Sequence, residues 1–171
     1  MLSPNAMVGG RYLIAQKLGQ GGMGAVYLVT DTRLGNRKCA LKEMSNAALT
    51  DPTEKVQAET AFQQEAQLLS NLSHPNMPRV TDFLSEGDKK FLVMDFVEGQ
   101  TLDNVIASRT RPFSESQVLL WANQLCEVLH YLHTRPTPII FRDLKPGNIM
   151  LSPDERTVKL DKKEEGEALF Y

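Results

Sequence analysis

Ile139-Ile140-Phe141-Arg142-Asp143-Leu144-Lys145-Pro146-Gly147-Asn148-Ile149-Met150-Leu151 sets one acid, two bases and an amide between two apolar runs. The apolar runs read as short strands and the polar middle as the loop joining them. Pro146-Gly147-Asn148 is by itself a turn signal, because proline presets φ while glycine and asparagine tolerate left-handed backbone. A charged surface turn is the plainer reading of these residues taken alone, so the rest of the chain must decide.

Far upstream the chain reads Leu18-Gly19-Gln20-Gly21-Gly22-Met23-Gly24-Ala25-Val26, and Ala40 and Lys42 follow one short strand later. Gly19, Gly21 and Gly24 lack a Cβ, so a turn here can bring backbone N–H groups close to phosphate oxygens. The same GxGxxG spacing serves dinucleotide-binding folds when a helix follows it. Here Ala25 to Thr30 is a β-branched and aromatic run, then Asp31 to Asn36 signals a turn, and a second strand is expected from about Arg37 to Glu43. The helix that a Rossmann reading requires is missing, and no GxxxxGK[ST] string occurs. Residues two apart share a face of a strand, so Ala40 leaves room for a flat base where Lys42 reaches phosphates. An ordinary hairpin with an exposed lysine is the alternative reading of these residues taken alone.

Asp51-Pro52-Thr53-Glu54 predicts a helix start with Asp51 as N-cap and Pro52 in the first turn, the helix running to about Leu72. Its apolar stripe contains Phe62, Leu69 and Leu72, and Glu65 falls within it. An unpaired buried carboxylate costs several kcal/mol, which makes Lys42 the expected partner unless Glu65 reaches water at a rim. Phe91 to Val97 reads as a buried strand ending at Glu98-Gly99, and a short helix is expected from Thr101. A longer helix is predicted over roughly Ser114 to His133, with a Ser114/Gln117 capping box and Phe113 stapled to Val118. Its stripe of Val118, Trp121, Ala122, Leu125, Val128, Leu129 and Leu132 is read as core.

A length of 171 residues suits one domain or two small lobes, and a net charge of −2 gives no basic field to attract nucleic acid or an anionic membrane. No apolar run reaches membrane-spanning length and Met1 to Asn5 lacks signal-peptide character, so a cytoplasmic setting is expected. Cys39 and Cys126 are distant and unaccompanied by metal-ligand spacing; both are expected to be buried thiols. His74, His130 and His133 are read as structural.

Taken in this order, the glycine loop, the Ala40/Lys42 strand, the Glu65 helix and the Asp143 to Asn148 loop resemble the signature set of protein kinases. The likeness is to Ser/Thr protein kinases, most closely the bacterial eukaryote-like group, and covers about Arg11 to Leu160. It implies an α+β fold: a small strand-rich N-lobe with one helix, a hinge near Asp95 to Gly99, and a partial helical C-lobe. The expected divisions are 1–10 as an N-terminal extension, 11–98 as N-lobe, 99–160 as partial C-lobe and 161–171 as a charged tail. ATP and Mg²⁺ are the implied cofactors. By this likeness Gly19, Gly21 and Gly24 cover the phosphates, with Leu18 and Gly22 also in the cofactor-binding set, Val26, Ala40 and Met150 sandwich adenine, and Met94 is the gatekeeper. Asp95 and Val97 offer backbone to the adenine edge, and Lys42, paired with Glu65, holds the α and β phosphates. Asp143 accepts the substrate hydroxyl proton, Lys145 steadies the γ-phosphate and implies a serine or threonine acceptor on a protein substrate, and Asn148 binds Mg²⁺.

Two departures stand out. Phe141 replaces the family's histidine before Arg-Asp, at a position expected mainly to pack. After Val158-Lys159-Leu160, where the family continues into Asp-Phe-Gly, this chain reads Asp161-Lys162-Lys163. Asp161 is a candidate metal ligand beside two cations. Three functions therefore stay open: an active kinase, a nucleotide-binding pseudokinase, or a non-catalytic interaction fragment. A self-associated or partnered state is expected to cover the apolar face of the long C-lobe helix.

Overall fold

The computed structural model describes residues 2–21, 24–44, 51–87 and 89–161. They divide into two compact units: residues to Leu72 with Arg79–Phe96, and Ser73–Pro78 with Val97–Asp161.

The first unit is a six-stranded antiparallel sheet with one helix. Its strands are β1 (Met7–Val8), β2 (Tyr12–Gly21), β3 (Gly24–Asp31), β4 (Arg37–Met44), β5 (Val80–Glu86) and β6 (Lys89–Asp95), in the order β1-β2-β3-β4-β6-β5. Strict alternation along β3 buries Ala25, Tyr27 and Val29, which meet Ile14, Cys39, Leu41, Phe91 and Val93 in one apolar cluster. The Tyr27 hydroxyl inside it accepts from the Leu2 N–H at 3.1 Å and donates to Glu43 at 3.0 Å. Lys89 neutralises that buried carboxylate at 2.7 Å, as desolvation demands. Burial, chiefly, raises the Tyr27 pKa.

Side chains curl the sheet so that its two ends meet. Arg11 grips Asp31 through two bonds of 2.9 and 2.6 Å and reaches Asp82 on β5 at 3.1 Å, where the Tyr12 hydroxyl also donates at 2.7 Å. The Arg11 guanidinium holds the Asp31 carboxyl below its ordinary range. β2 carries two irregularities, between Ile14 and Gln16 and between Lys17 and Gly19, bulges that sharpen the local twist.

Helix α1 (Pro52–Ser70) starts as its sequence dictates, with the Asp51 carboxylate accepting the Thr53 N–H at 2.7 Å. Phe62, Ala66 and Leu69 are buried, with Phe62 against Phe83 of β5. The helix stops at Ser70 rather than Leu72, because the Asn71 N–H turns back onto Leu68. The expected Glu65–Lys42 pair involves a side chain outside the described residues.

The second unit holds a three-stranded sheet, β7 (Gln100–Thr101), β8 (Ile149–Leu151) and β9 (Val158–Leu160), with α2 (Leu102–Ser108) and α3 (Glu115–His133). Ser114 caps α3 by accepting the Gln117 N–H at 3.3 Å. The Gln117 side chain does not complete the capping box; it donates to Glu155 in the β8–β9 turn at 2.7 Å. Phe113 packs edge-on to Trp121. The stripe predicted as core is narrower than expected. Trp121, Val128 and Leu132 are buried, whereas Val118 and Ala122 are exposed together with Leu119 and Leu120. The β8–β9 hairpin draws α3 toward it on one side only, through the Trp121 indole on the Glu155 carbonyl at 2.8 Å and Gln124 on Arg156. Cys126 lies on the outward side and is exposed, correcting the expectation of two buried thiols; Cys39 is buried as expected. No strand forms over Ile139–Phe141; Ile139 instead donates to Leu132 at the end of α3.

Candidate functional site

Each unit carries one half of the predicted constellation. In the first, the register aligns Gly19 with Val26, Val26 with Lys42 and Lys42 with Leu92 across four strands. The neighbouring row is Leu28, Ala40 and Met94. Directly opposed residues project to the same side of a sheet, so Val26, Ala40, Lys42 and Met94 share the face opposite Tyr27, Leu41 and Val93. Ala40 is buried, while Val26, Lys42 and Met94 are half-buried. The glycine loop lies at one end of this face. Leu18 occupies the second bulge of β2, Gly21 pairs with Gly24, and Gly24 opens β3 with φ at 150°, a conformation that glycine adopts cheaply. Gly22 lies outside the described residues. At the far end, Met94 and Asp95 close β6, and the Asp95 N–H donates to Arg79 at 3.0 Å.

The second unit holds Asp143, Lys145, Asn148, Met150 and Asp161, with Val97 buried in it as well. Pro146–Asn148 forms a single 3₁₀ turn, closed by the Asn148 N–H on the Lys145 carbonyl at 2.9 Å. That turn buries the Asn148 side chain and aims its amide nitrogen back at Asp143, onto the carbonyl at 2.8 Å and the carboxylate at 2.9 Å. Lys145 adds a contact of 3.2 Å to the same carboxylate oxygen, from a largely exposed side chain. The Asn148 carbonyl accepts from the Asp161 N–H at 3.0 Å, so the two candidate metal ligands are neighbours on adjacent backbone. Asp161 is buried, at 9% exposure. Met150 is fully buried in the middle strand of the small sheet. Phe141 is buried too, which fits a packing role at the position where it departs from the family.

An amide that gives its nitrogen to Asp143 has a carbonyl oxygen at its other end, an atom type able to bind a cation. Among the described residues no three His, Cys, Asp or Glu side chains converge as a metal site. A cation held by Asn148 and Asp161 would therefore complete its ligands from phosphate and water, which suits Mg²⁺.

Asn76 escaped the sequence reading. Its buried side-chain amide donates to Gln124 at 2.9 Å and the Val158 carbonyl at 2.7 Å, while the Asn76 main-chain carbonyl accepts the Leu160 N–H. These bonds hold β9, and with it the approach to Asp161. The turn string His74-Pro75-Asn76 was the available signal, but nothing in it specified distant partners.

A protein kinase domain matches residues 12–161, and the chain belongs to the protein kinase family. It is 40% identical to serine/threonine-protein kinase pkn2 of Myxococcus xanthus over 157 residues, spanning 91% of this chain and 18% of that protein. It is 37% identical over 153 residues to the Bacillus subtilis (strain 168) protein named "Probable serine/threonine-protein kinase YbdM", spanning 88% of this chain and 56% of that one. In fold it is similar to PpkA in its apo form, with a TM-score of 0.81 at 23% identity over 95% of this chain and 61% of the other. The chain thus spans less than two thirds of the relatives it matches. No helix among the described residues is long and apolar enough to cross a membrane.

Proposed function

We propose that this chain binds Mg-ATP and carries the phosphoryl-transfer machinery of a Ser/Thr protein kinase acting in the cytoplasm. The observation that carries the reading is the Asn148 amide, which fixes Asp143 by two bonds while its backbone holds Asp161. In this reading the glycine loop and Lys42 bind the phosphates, Ala40, Val26 and Met150 contact adenine, and Asp143 accepts the proton of a protein Ser/Thr hydroxyl. Lys145 balances the γ-phosphate charge. Asn148 and Asp161 would hold a Mg²⁺, which when bound would supply positive charge to the phosphate oxygens.

Calorimetry is the direct test. Mg-ATP is expected to bind with a measurable heat and to raise the melting temperature by mass action; Lys42→Ala is expected to weaken binding at least about tenfold, the worth of one charge-assisted bond. Absence of any ATP effect on folded protein would refute the reading.

A second reading is a nucleotide-binding pseudokinase, favoured by Lys162 and Lys163 directly after Asp161. It retains binding without turnover, so phosphate transfer to a generic Ser/Thr substrate by protein purified free of other kinases separates the two. We also propose that protein covers the exposed Leu119 and Leu120 face of α3, by a second copy or another chain. A monodisperse monomer in light scattering at tens of micromolar, roughly where such surfaces associate, would argue against self-association.

A further inference from the structure

Asp95 is more than the end of a strand. Its N–H donates to the Arg79 carbonyl at 3.0 Å, its Oδ2 accepts the Arg79 N–H at 3.3 Å, and its Oδ1 accepts Arg37 Nη2 at 2.5 Å. Residues 79 and 95 thus exchange two bonds, one through main chain and one through the carboxylate. This second bond sits where the ladder fails. The β5–β6 register slips between Val80 and Asp82, and the spare residue, Thr81, makes a side-chain bond to the Val93 carbonyl at 3.3 Å. On the other side Asp95 is paired with Cys39 of β4, and Arg37, which opens that strand, reaches over to the carboxylate. One side chain therefore ties the last residue of β6 to both neighbouring segments.

We propose that the Asp95 carboxylate is a positioning residue for recognition of the nucleotide base. It holds the Met94–Asp95 main chain at the end of the sheet face that carries Val26 and Ala40, so that this backbone meets the base edge in a fixed geometry. The inference rests on the ATP-binding reading and deepens it. A ligand with no base should be indifferent to Asp95, whereas Lys42 should matter to both.

The test measures binding of Mg-ATP and of inorganic tripolyphosphate to the full chain and to three variants, at a temperature where each retains its wild-type circular dichroism. Asp95→Ala removes both acceptors and is expected to weaken ATP about tenfold, the worth of a lost bond near 1.4 kcal/mol. Tripolyphosphate should stay within about twofold. Asp95→Asn keeps an acceptor for the Arg79 N–H and is expected to fall between, as is Arg37→Ala, which removes only the cation. ATP affinity unchanged in Asp95→Ala, or equal weakening of both ligands, would overturn the positioning role. Wild-type protein that binds tripolyphosphate but gains nothing from the nucleoside would also overturn it, whereas wild type that binds neither removes the ATP-binding reading itself.

Discussion

Gly99→Val is expected to cost about 4 kcal/mol or more, among the largest single-site losses available to a domain of this size. Gly99 sits just before β7 with φ at 127°, and a Cβ built there would lie 1.9 Å from the Leu151 carbonyl oxygen and 2.9 Å from its carbon. The obstacle is backbone in the central strand β8, so no rotamer change relieves it. Side chains adopt that φ only with strain. Two other glycines serve as controls. Gly35 has φ at 60° with open space around it, so Gly35→Ala is expected to cost about 1 kcal/mol from conformation alone. Gly147 has neither constraint, and Gly147→Ala should be neutral within about 0.5 kcal/mol. Urea unfolding of the three variants followed by circular dichroism gives the ranking. A Gly99 variant as stable as the Gly147 one would mean that β7 can move away from β8.

The second large effect is expected from Asn148→Ala. The truncation deletes the donor to both Asp143 acceptors and leaves a pocket where a buried amide stood. Stability should fall by about 1–3 kcal/mol for the bonds lost. The functional effect should be larger. Magnesium is expected to lose its enhancement of ATP binding, and any phosphate transfer should drop at least about a hundredfold as Asp143 loses its fixed orientation. Asn148→Asp separates the two roles, because it keeps an oxygen for the cation but sets a like charge 2.9 Å from Asp143. It should therefore bind Mg-ATP better than the alanine variant and still transfer poorly. Identical magnesium dependence in wild type and Asn148→Ala, from titrations with and without the metal, would remove Asn148 from the metal site.

What the sequence made legible was local. The Asp51 and Ser114 caps, the Ala25 to Thr30 strand and the Ala40/Lys42 face depend on residues within a turn or two of each other, and the structure contains all of them. The failures with most bearing on the packing of α3 were long-range. Gln117 was expected to cap its own helix because Glu155, 38 positions away, could not be seen to compete for it. Helical periodicity marked Val118 and Ala122 as core because spacing records that a helix has an apolar side without recording how much of it is met. Of the candidate site, Asp143, Lys145 and Asn148 stand in one string, whereas Asn76 and the Asp95 carboxylate bind partners that only folding brings near.

The way the first unit closes bears on how safely it can exist in a crowded cell. An open sheet offers two rows of unpaired peptide groups to any other extended chain, the usual start of aggregation. Here one terminal strand, β1, is only Met7–Val8, and the other, β5, is met by Arg11 and Tyr12 on Asp82 and by the Gly9 N–H on Glu86 at 2.9 Å. The chain guards its flank with charge and shape where a barrel would use continuous pairing. Such a guard forms only when residues 9–12 and 82–86 come together, so a nascent chain that has made β2 to β4 but not yet β5 is exposed to capture, and chaperone dependence should be concentrated in that interval.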